Sequence, residues 1–467
     1  MTRFLVAALV ALCASTAVAT PREAAERFVD LWNLDGSRDG ELGKVFQAAF
    51  IEKRGPERLQ RILTMVADDN GDIAIKQTML SSAEKIRFLA AGADNKWVEI
   101  SLDLDAEFKV AGMSIARATA PASDRERNLS AAQIVEHLEA YLEDRVARGL
   151  FSGSVILAKN GKPLFAKAYG LADRASGRAN TLDTPINLGS MNKMFTGLAI
   201  TQLVAQGKLA YAQTVGHYLP DYPNQRVRDE VTLHQLLTHT SGMGMYWNDA
   251  YAQRKDRIRT LQDLLPTFVA DPLATAPGAQ FRYSNSGPVV LGLIIEAVSG
   301  MSYYDYVRKY IYGPAAMSHS DHYFKNEPDS GKATGYYVPE GGNEAIANHD
   351  VLGNIGSPAG GGYASANDLL RFAQALYDGR LIDDQHRQIM TSSKQQVSST
   401  AGYAYLFGDS RINGRRYVGH NGGAPGINAD FSIFPDHGYT LVVLSNVGRG
   451  ASPVSNQLRR WIGYANE

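Results

Sequence analysis

The sequence predicts an α+β protein: a small N-terminal unit, then a large domain whose central antiparallel sheet is closed by strands from both of its ends and covered by helices. Three observations predict it. Asn160-Gly161 lies between two apolar runs, 153–158 and 164–166, the strongest short-range signal for a hairpin. Near the other end, the apolar runs 431–434 and 439–444 flank the turn residues Pro435-Asp436-His437-Gly438, and a helix is expected from about Pro453. Between these two hairpins the text is mostly helical in its periodicity.

Composition bounds the class. With 467 residues, 45% of them apolar and 20% charged, the chain can hold one large domain and a smaller one, and is too apolar to be disordered. Lys+Arg of 47 against Asp+Glu of 48 leaves a net charge of −1 with no basic block. That balance argues against nucleic acid or an anionic membrane as the main partner. The one cysteine, Cys13, excludes a disulfide scaffold and every multi-cysteine metal or iron–sulfur site.

In chain order, residues 1–19 read as a signal peptide: Arg3, an apolar run over 4–12, then Ala17-Val18-Ala19. The run is too short for a permanent span, and no later stretch is long and apolar enough. Cleavage would remove Cys13 and leave a cysteine-free chain suited to an oxidising compartment. The expectation is an exported protein, periplasmic or secreted, with no transmembrane anchor. Residues 20–118 read as a small α+β unit of unassigned role. Ala25, Phe28, Val29 and Trp32 follow Pro21 at helical spacing, and Ile100, Leu102 and Leu104 alternate with Ser101, Asp103 and Asp105 as in a half-buried strand. Residues 119–128 have linker composition, and 129–467 form the large domain. It opens with an amphipathic helix carrying Ile134, Leu138, Tyr141 and Leu142.

A nucleophile is the first candidate. Ser190-Met191-Asn192-Lys193 begins a segment apolar on most sides, hence a buried helix. Residues three apart share a helix face, so the Ser190 hydroxyl falls beside the Lys193 amine in the first turn, where backbone N–H groups favour developing negative charge. A buried lysine has a depressed pKa and can take the serine proton. Ser82-Ala83-Glu84-Lys85 has the same spacing but lies in charged text, expected as a solvated helical surface. Tyr283-Ser284-Asn285 sits in a polar turn that enters the apolar helix 289–298. His420-Asn421-Gly422-Gly423 adjoins the strand-like Tyr417-Val418, with glycines that let a substrate backbone approach closely.

These three elements, in this order and 93 and 137 residues apart (283 − 190 and 420 − 283), resemble the penicillin-recognising serine hydrolases. That family includes class C β-lactamases, D-Ala-D-Ala carboxypeptidases, D-aminopeptidases and related esterases. Leu236-Leu237-Thr238-His239-Thr240-Ser241-Gly242, Pro277-Gly278 and Gly360-Gly361-Gly362-Tyr363-Ala364-Ser365 look like the family too, and the resemblance covers about 129–464. It implies a β-lactamase/transpeptidase-like domain with Ser190 as nucleophile. Lys193 and Tyr283 would share proton transfer, the phenol lowered by a neighbouring ammonium. Asn285 would hold Lys193 and the substrate amide, and the backbone N–H groups of Ser190 and Gly423 would form an oxyanion hole. The third motif carries His420 where β-lactamases usually have lysine, a weaker clamp for a substrate carboxylate that places the chain nearer the esterase and peptidase branches. The resemblance implies no cofactor and no metal, and a small-molecule or peptide substrate. A non-hydrolytic penicillin or peptidoglycan binder is the alternative. His319-Ser320-Asp321-His322 is expected as a polar turn rather than a metal site, and Gly360-Gly361-Gly362 as a tight turn near the cleft.

Overall fold

Thr20 caps a helix. Its hydroxyl accepts the Glu23 N–H and the Glu23 carboxylate accepts the Thr20 N–H, two otherwise orphaned donors satisfied together. The computed structural model describes residues 20–466 apart from 35–37, 39, 93–95, 119–126, 328–329, 340–343 and 399. The expected signal peptide, with Cys13, and most of the expected linker lie outside the described residues. The chain divides into two compact units, 1–123 and 124–467, each taken by itself here.

In the first unit, α1 (Pro21–Trp32) and α2 (Pro56–Asn70) pack with a four-stranded antiparallel meander of β1 (Ala74–Ser81), β2 (Lys85–Ala91), β3 (Trp97–Leu104) and β4 (Val110–Ala118). Phe28 and Trp32 of α1 meet Phe88, Ile100 and Leu102 in its core. The Ser82–Lys85 segment is not helical. It is the turn between β1 and β2, where Ser82 Oγ accepts the Lys85 N–H and donates to the Lys85 carbonyl, both at 3.1 Å. Short hydroxyl side chains compete with the helix for backbone partners in this way. Lys85 Nζ pairs with exposed Asp103 at 2.9 Å, so this serine–lysine pair never meets.

The second unit begins with α3 (Ala131–Ala147), followed by the hairpin of β5 (Gly153–Lys159) and β6 (Lys162–Tyr169). Its turn has Asn160 at φ +51° and Gly161 at φ +74°, the left-handed pair that matches strand twist. The middle of the unit contributes β7 (Ile186–Asn187), α4 (Lys193–Ala205), α5 (Ser286–Ser299), β8 (Tyr363–Ala364) and α6 (Ala366–Tyr377). The end supplies β9 (Gln395–Gln396), β10 (Ala401–Tyr403), β11 (Gly408–Ile412), β12 (Arg415–Ala424), β13 (Ile427–Phe434), β14 (Tyr439–Ser445) and α7 (Ala451–Gly463), which starts two residues before Pro453.

Eight strands form one antiparallel sheet in the order β9-β10-β11-β12-β13-β14-β5-β6, so strands from the two ends of the unit pair with each other. Alternation then assigns the layers. Val155 and Leu157 with Leu441 and Val443 face α3 and α7, whereas Ile156 and Ala158 with Val442 and Leu444 face the helical core around α4. Each of these valine, leucine and isoleucine side chains, fully buried, contributes about 1.5–3 kcal/mol. On the α7 face Arg459 reaches Asp430 of β13 at 2.6 Å in a buried ion pair. Helix α4 is buried from Lys193 to Leu203, which carries its polar first turn into the interior against β12. Among the described residues no single helix is long and apolar enough to cross a membrane.

Candidate active site

Ser190 lies in a 3-10 turn, Gly189–Asn192, that feeds directly into α4. Gly189 has φ +51°, and a Cβ there would stand 2.7 Å from the Gly423 nitrogen of β12. A Cβ on Gly422 would stand 1.9 Å from the Leu188 carbonyl oxygen. Glycine at both positions is therefore what lets the strand run against the serine turn. A third glycine, Gly360, closes the far side, since its Cβ would approach the Gly189 carbonyl to 3.0 Å. The turn expected at 360–362 lies slightly earlier, at 357–360, where Ser357 and Gly360 bond each other's backbone, and Gly360 and Gly361 border the cleft.

Lys193 is fully buried one helical turn further on. Its Nζ lies 3.2 Å from Ser190 Oγ, 2.7 Å from Asn285 Oδ1 and 2.6 Å from the Ala359 carbonyl oxygen. Burial with no carboxylate in contact pushes its pKa well below the ordinary lysine value. An unprotonated amine has two N–H groups and one lone pair. The Asn285 and Ala359 oxygens can only accept, so each takes an N–H of Lys193, and the Ser190 hydroxyl is the third partner of the nitrogen.

Tyr283 completes the cluster. Its ring centroid lies 4.8 Å from Lys193 Nζ, and its phenol hydrogen-bonds Ser190. Burial raises the phenol to about 12, with the Ser190 bond offsetting part of the rise. This corrects the expectation of a phenol lowered by an ammonium, because burial outweighs every lowering contact. Asn285 caps the start of α5, so the Tyr283–Asn285 turn and the Ser190–Lys193 turn are two helix N-termini brought together.

His420 sits on β12 but turns away from the position expected of a clamp. Its Nδ1 lies 2.6 Å from the Asn421 carbonyl oxygen and its Nε2 lies 3.0 Å from the Tyr403 hydroxyl. Burial, with a smaller push from Lys193, lowers it to about 4. Tyr403 also meets His239 Nε2 at 3.0 Å, while His239 Nδ1 accepts the Ser284 N–H at 3.3 Å. The His239 ring packs 4.4 Å from that of Tyr283. Sequence reasoning gives neither residue a role: His239 enters only within the family-like run 236–242, and Tyr403 not at all. His239 carries one signal, as a non-glycine residue at φ +56° within a polar run, but φ is invisible before the structure. Tyr403 carries none.

A cleft of about 610 Å³ opens beside the cluster, lined by Ser190, Gly360 and Gly423 at its floor and by Tyr246, Trp247 and Tyr251 along its wall. Trp247 is 53% exposed at its edge. His322 is no part of a solvated turn: it is buried against Tyr303, Tyr304 and Tyr312, while His319 is half-buried. Among the described residues no group of three or more His, Cys, Asp or Glu side chains could hold a metal ion.

A model of the family described as Beta-lactamase matches residues 133–463, nearly all of the second unit. Penicillin-binding protein 4* of Bacillus subtilis (strain 168) is 30% identical over 330 residues, covering 67% of this chain and 71% of that protein. Among solved structures, the penicillin binding protein from Bacillus halodurans aligns at 30% identity with a TM-score of 0.64, covering 69% of this chain and 98% of the other. The D-amino acid amidase from Ochrobactrum anthropi SV3 shares the fold at 23% identity and a TM-score of 0.61, over 71% of this chain and 98% of its own. An α+β sheet-and-helix domain with a paired serine and lysine beside a glycine-lined strand, matched over most of its length by this family, leaves one conclusion: the chain belongs to the Beta-lactamase family and is a serine hydrolase of the β-lactamase-related group.

Proposed function

We propose that this chain is an exported serine hydrolase that forms an acyl-enzyme on Ser190 and cleaves an ester, an amide or a D-amino-acid peptide bond. The observation that carries the reading is the fully buried Lys193 amine, held by Asn285 and Ala359 at 2.7 and 2.6 Å with its Nζ 3.2 Å from Ser190 Oγ. Lys193 accepts the serine proton as Oγ attacks the acyl carbon. Tyr283, protonated at neutral pH and bonded to Ser190, donates to the leaving atom and is resupplied from Lys193. The Ser190 and Gly423 N–H groups receive the developing oxyanion, a service worth about 10²–10³ in rate per donor. Water attacks the acyl-enzyme by the reverse path. The names of the relatives, penicillin-binding proteins and a D-amino acid amidase, support a peptide-like substrate. The charge, apolar run and small residues of 1–19 support export.

Labelling with a fluorophosphonate and a fluorescent penicillin, on the wild type and Ser190→Ala, tests the reading. Label on the wild type and none on the variant is expected, and label persisting on the variant refutes it. Stable penicillin labelling without turnover of p-nitrophenyl esters, nitrocefin or D-amino-acid peptides would instead indicate a non-hydrolytic binder.

A further inference from the structure

We propose that Tyr403 is a specificity-determining residue: its hydroxyl occupies His420 Nε2 and leaves β12 without a positive donor for a substrate carboxylate, so the site selects acyl donors that are uncharged beside the scissile bond. The proposal rests on the Ser190 reading above and names the substrate class within it.

Proton counting along one chain of contacts carries the argument. The Asn421 carbonyl can only accept, so His420 Nδ1 bears a proton and donates to it. In the neutral ring Nε2 is then an acceptor, filled by the Tyr403 hydroxyl. Tyr403 has one proton, now used, so its oxygen accepts from His239 Nε2–H. His239 Nδ1 in turn accepts the Ser284 N–H, which fixes that tautomer as well. Every donor and acceptor from Ser284 to Asn421 is matched in one direction only. Protonating His420 would put a second donor on Tyr403 and orphan the buried phenol proton, a cost added to that of burial.

Among the described residues, no lysine or arginine side chain hydrogen-bonds His420. Among the described residues, the titratable groups that act on His420 are Tyr403 from β10, Lys193 from α4, through Tyr403 His239, and, across the sheet on the α7 face, Asp430 of β13. Lys193 and His239 are both held toward their neutral forms by burial. Asp430 is committed to Arg459, with contacts of 2.6 and 3.0 Å. The ammonium groups that line the cleft are engaged elsewhere. Lys255 and Lys325 bind Asp256, and Lys332 bonds the Glu327 carbonyl and Ser330.

The test is a matched pair of activated esters, the phenylacetylglycyl esters of 3-hydroxybenzoic acid and of 3-hydroxybenzamide, which differ only by the charge on the leaving group. The readout is the ratio of kcat/KM, carboxylate over carboxamide, from about pH 5.5 to 8, with fluorophosphonate labelling run alongside. The wild type is expected to favour the carboxamide at every pH. Tyr403→Phe frees Nε2, so its ratio is expected to rise roughly tenfold at the acid end, the worth of one charge-assisted hydrogen bond, and to fall back as pH passes the ordinary imidazole value. A purely structural role for Tyr403 would lower both rates and leave the ratio alone. Should Tyr403→Phe not fold, His420→Lys takes its place, with a raised ratio expected through neutral pH. A wild type that prefers the carboxylate, or a ratio unmoved in the variant, overturns the proposal. Loss of wild-type labelling would instead overturn the Ser190 reading itself.

Discussion

Replacing Lys193 by methionine separates its charge state from its bulk. Methionine fills nearly the same buried volume, so packing changes little, and the side chain loses only its proton chemistry and its bonds to Asn285, Ala359 and Ser190. The unfolded lysine titrates near its ordinary value, whereas the native amine titrates well below it. Between those two values the unfolded chain holds a proton that the native chain does not, so stability must rise with pH across that window and level off above it. The limiting slope is about 1.4 kcal/mol per pH unit. Urea denaturation of both proteins at about pH 7.5, 8.5 and 9.5 cancels the titrations they share. The wild-type advantage over Lys193→Met is expected to climb at up to that slope, and hydrolysis by the variant to fall by about 10²–10⁴. A difference that stays flat with pH would mean that Lys193 is an ammonium in the native protein. It would then have no lone pair for Ser190, and the base assignment would be lost.

Three further outcomes follow from the same geometry. Gly422→Ala forces a Cβ to within 1.9 Å of the Leu188 oxygen, so β12 must move off the serine turn, and ester hydrolysis is expected to drop at least about a hundredfold with fluorophosphonate labelling slowed in parallel. Arg459→Met leaves Asp430 buried without its cation and should cost about 3–5 kcal/mol in chemical denaturation, where a surface pair would cost under about 1 kcal/mol. His322, held near 4 by burial, stays neutral in the native state while the unfolded chain takes up a proton below about 6.5. Stability should therefore fall as pH drops from 6.5 towards 4, and His322→Phe should remove that part of the slope in acid denaturation.

The local signals in the sequence were those with strong short-range chemistry. The Asn160-Gly161 turn, the helix start at Pro21 and the all-round apolar character of α4 each follow from a few neighbouring residues. The convergence of Ser190, Lys193, Tyr283 and Asn285 was legible only through the order of three motifs, because the contacts span 92 residues and no periodicity encodes them. Ser82–Lys85 shows the converse, with identical spacing and a different fate, since its neighbours pair as strands. His420 was found, but the direction of its ring was not. That direction depends on Tyr403, seventeen residues away across a sheet register that the sequence does not print. His322 was misjudged for a related reason: its polar neighbours in sequence suggest water, while its neighbours in space are three tyrosines.

The pairing of β5 with β14 places Val155 opposite Val443, partners separated by most of the second unit. During synthesis the early hairpin has no edge to dock against until the last strands have left the ribosome. Contacts of such long range make assembly slow, and until they form the apolar edge of β5 is open to wrong partners. A chain truncated before residue 439 therefore lacks more than its tail: the strand that should pair with β5 along its whole length is missing.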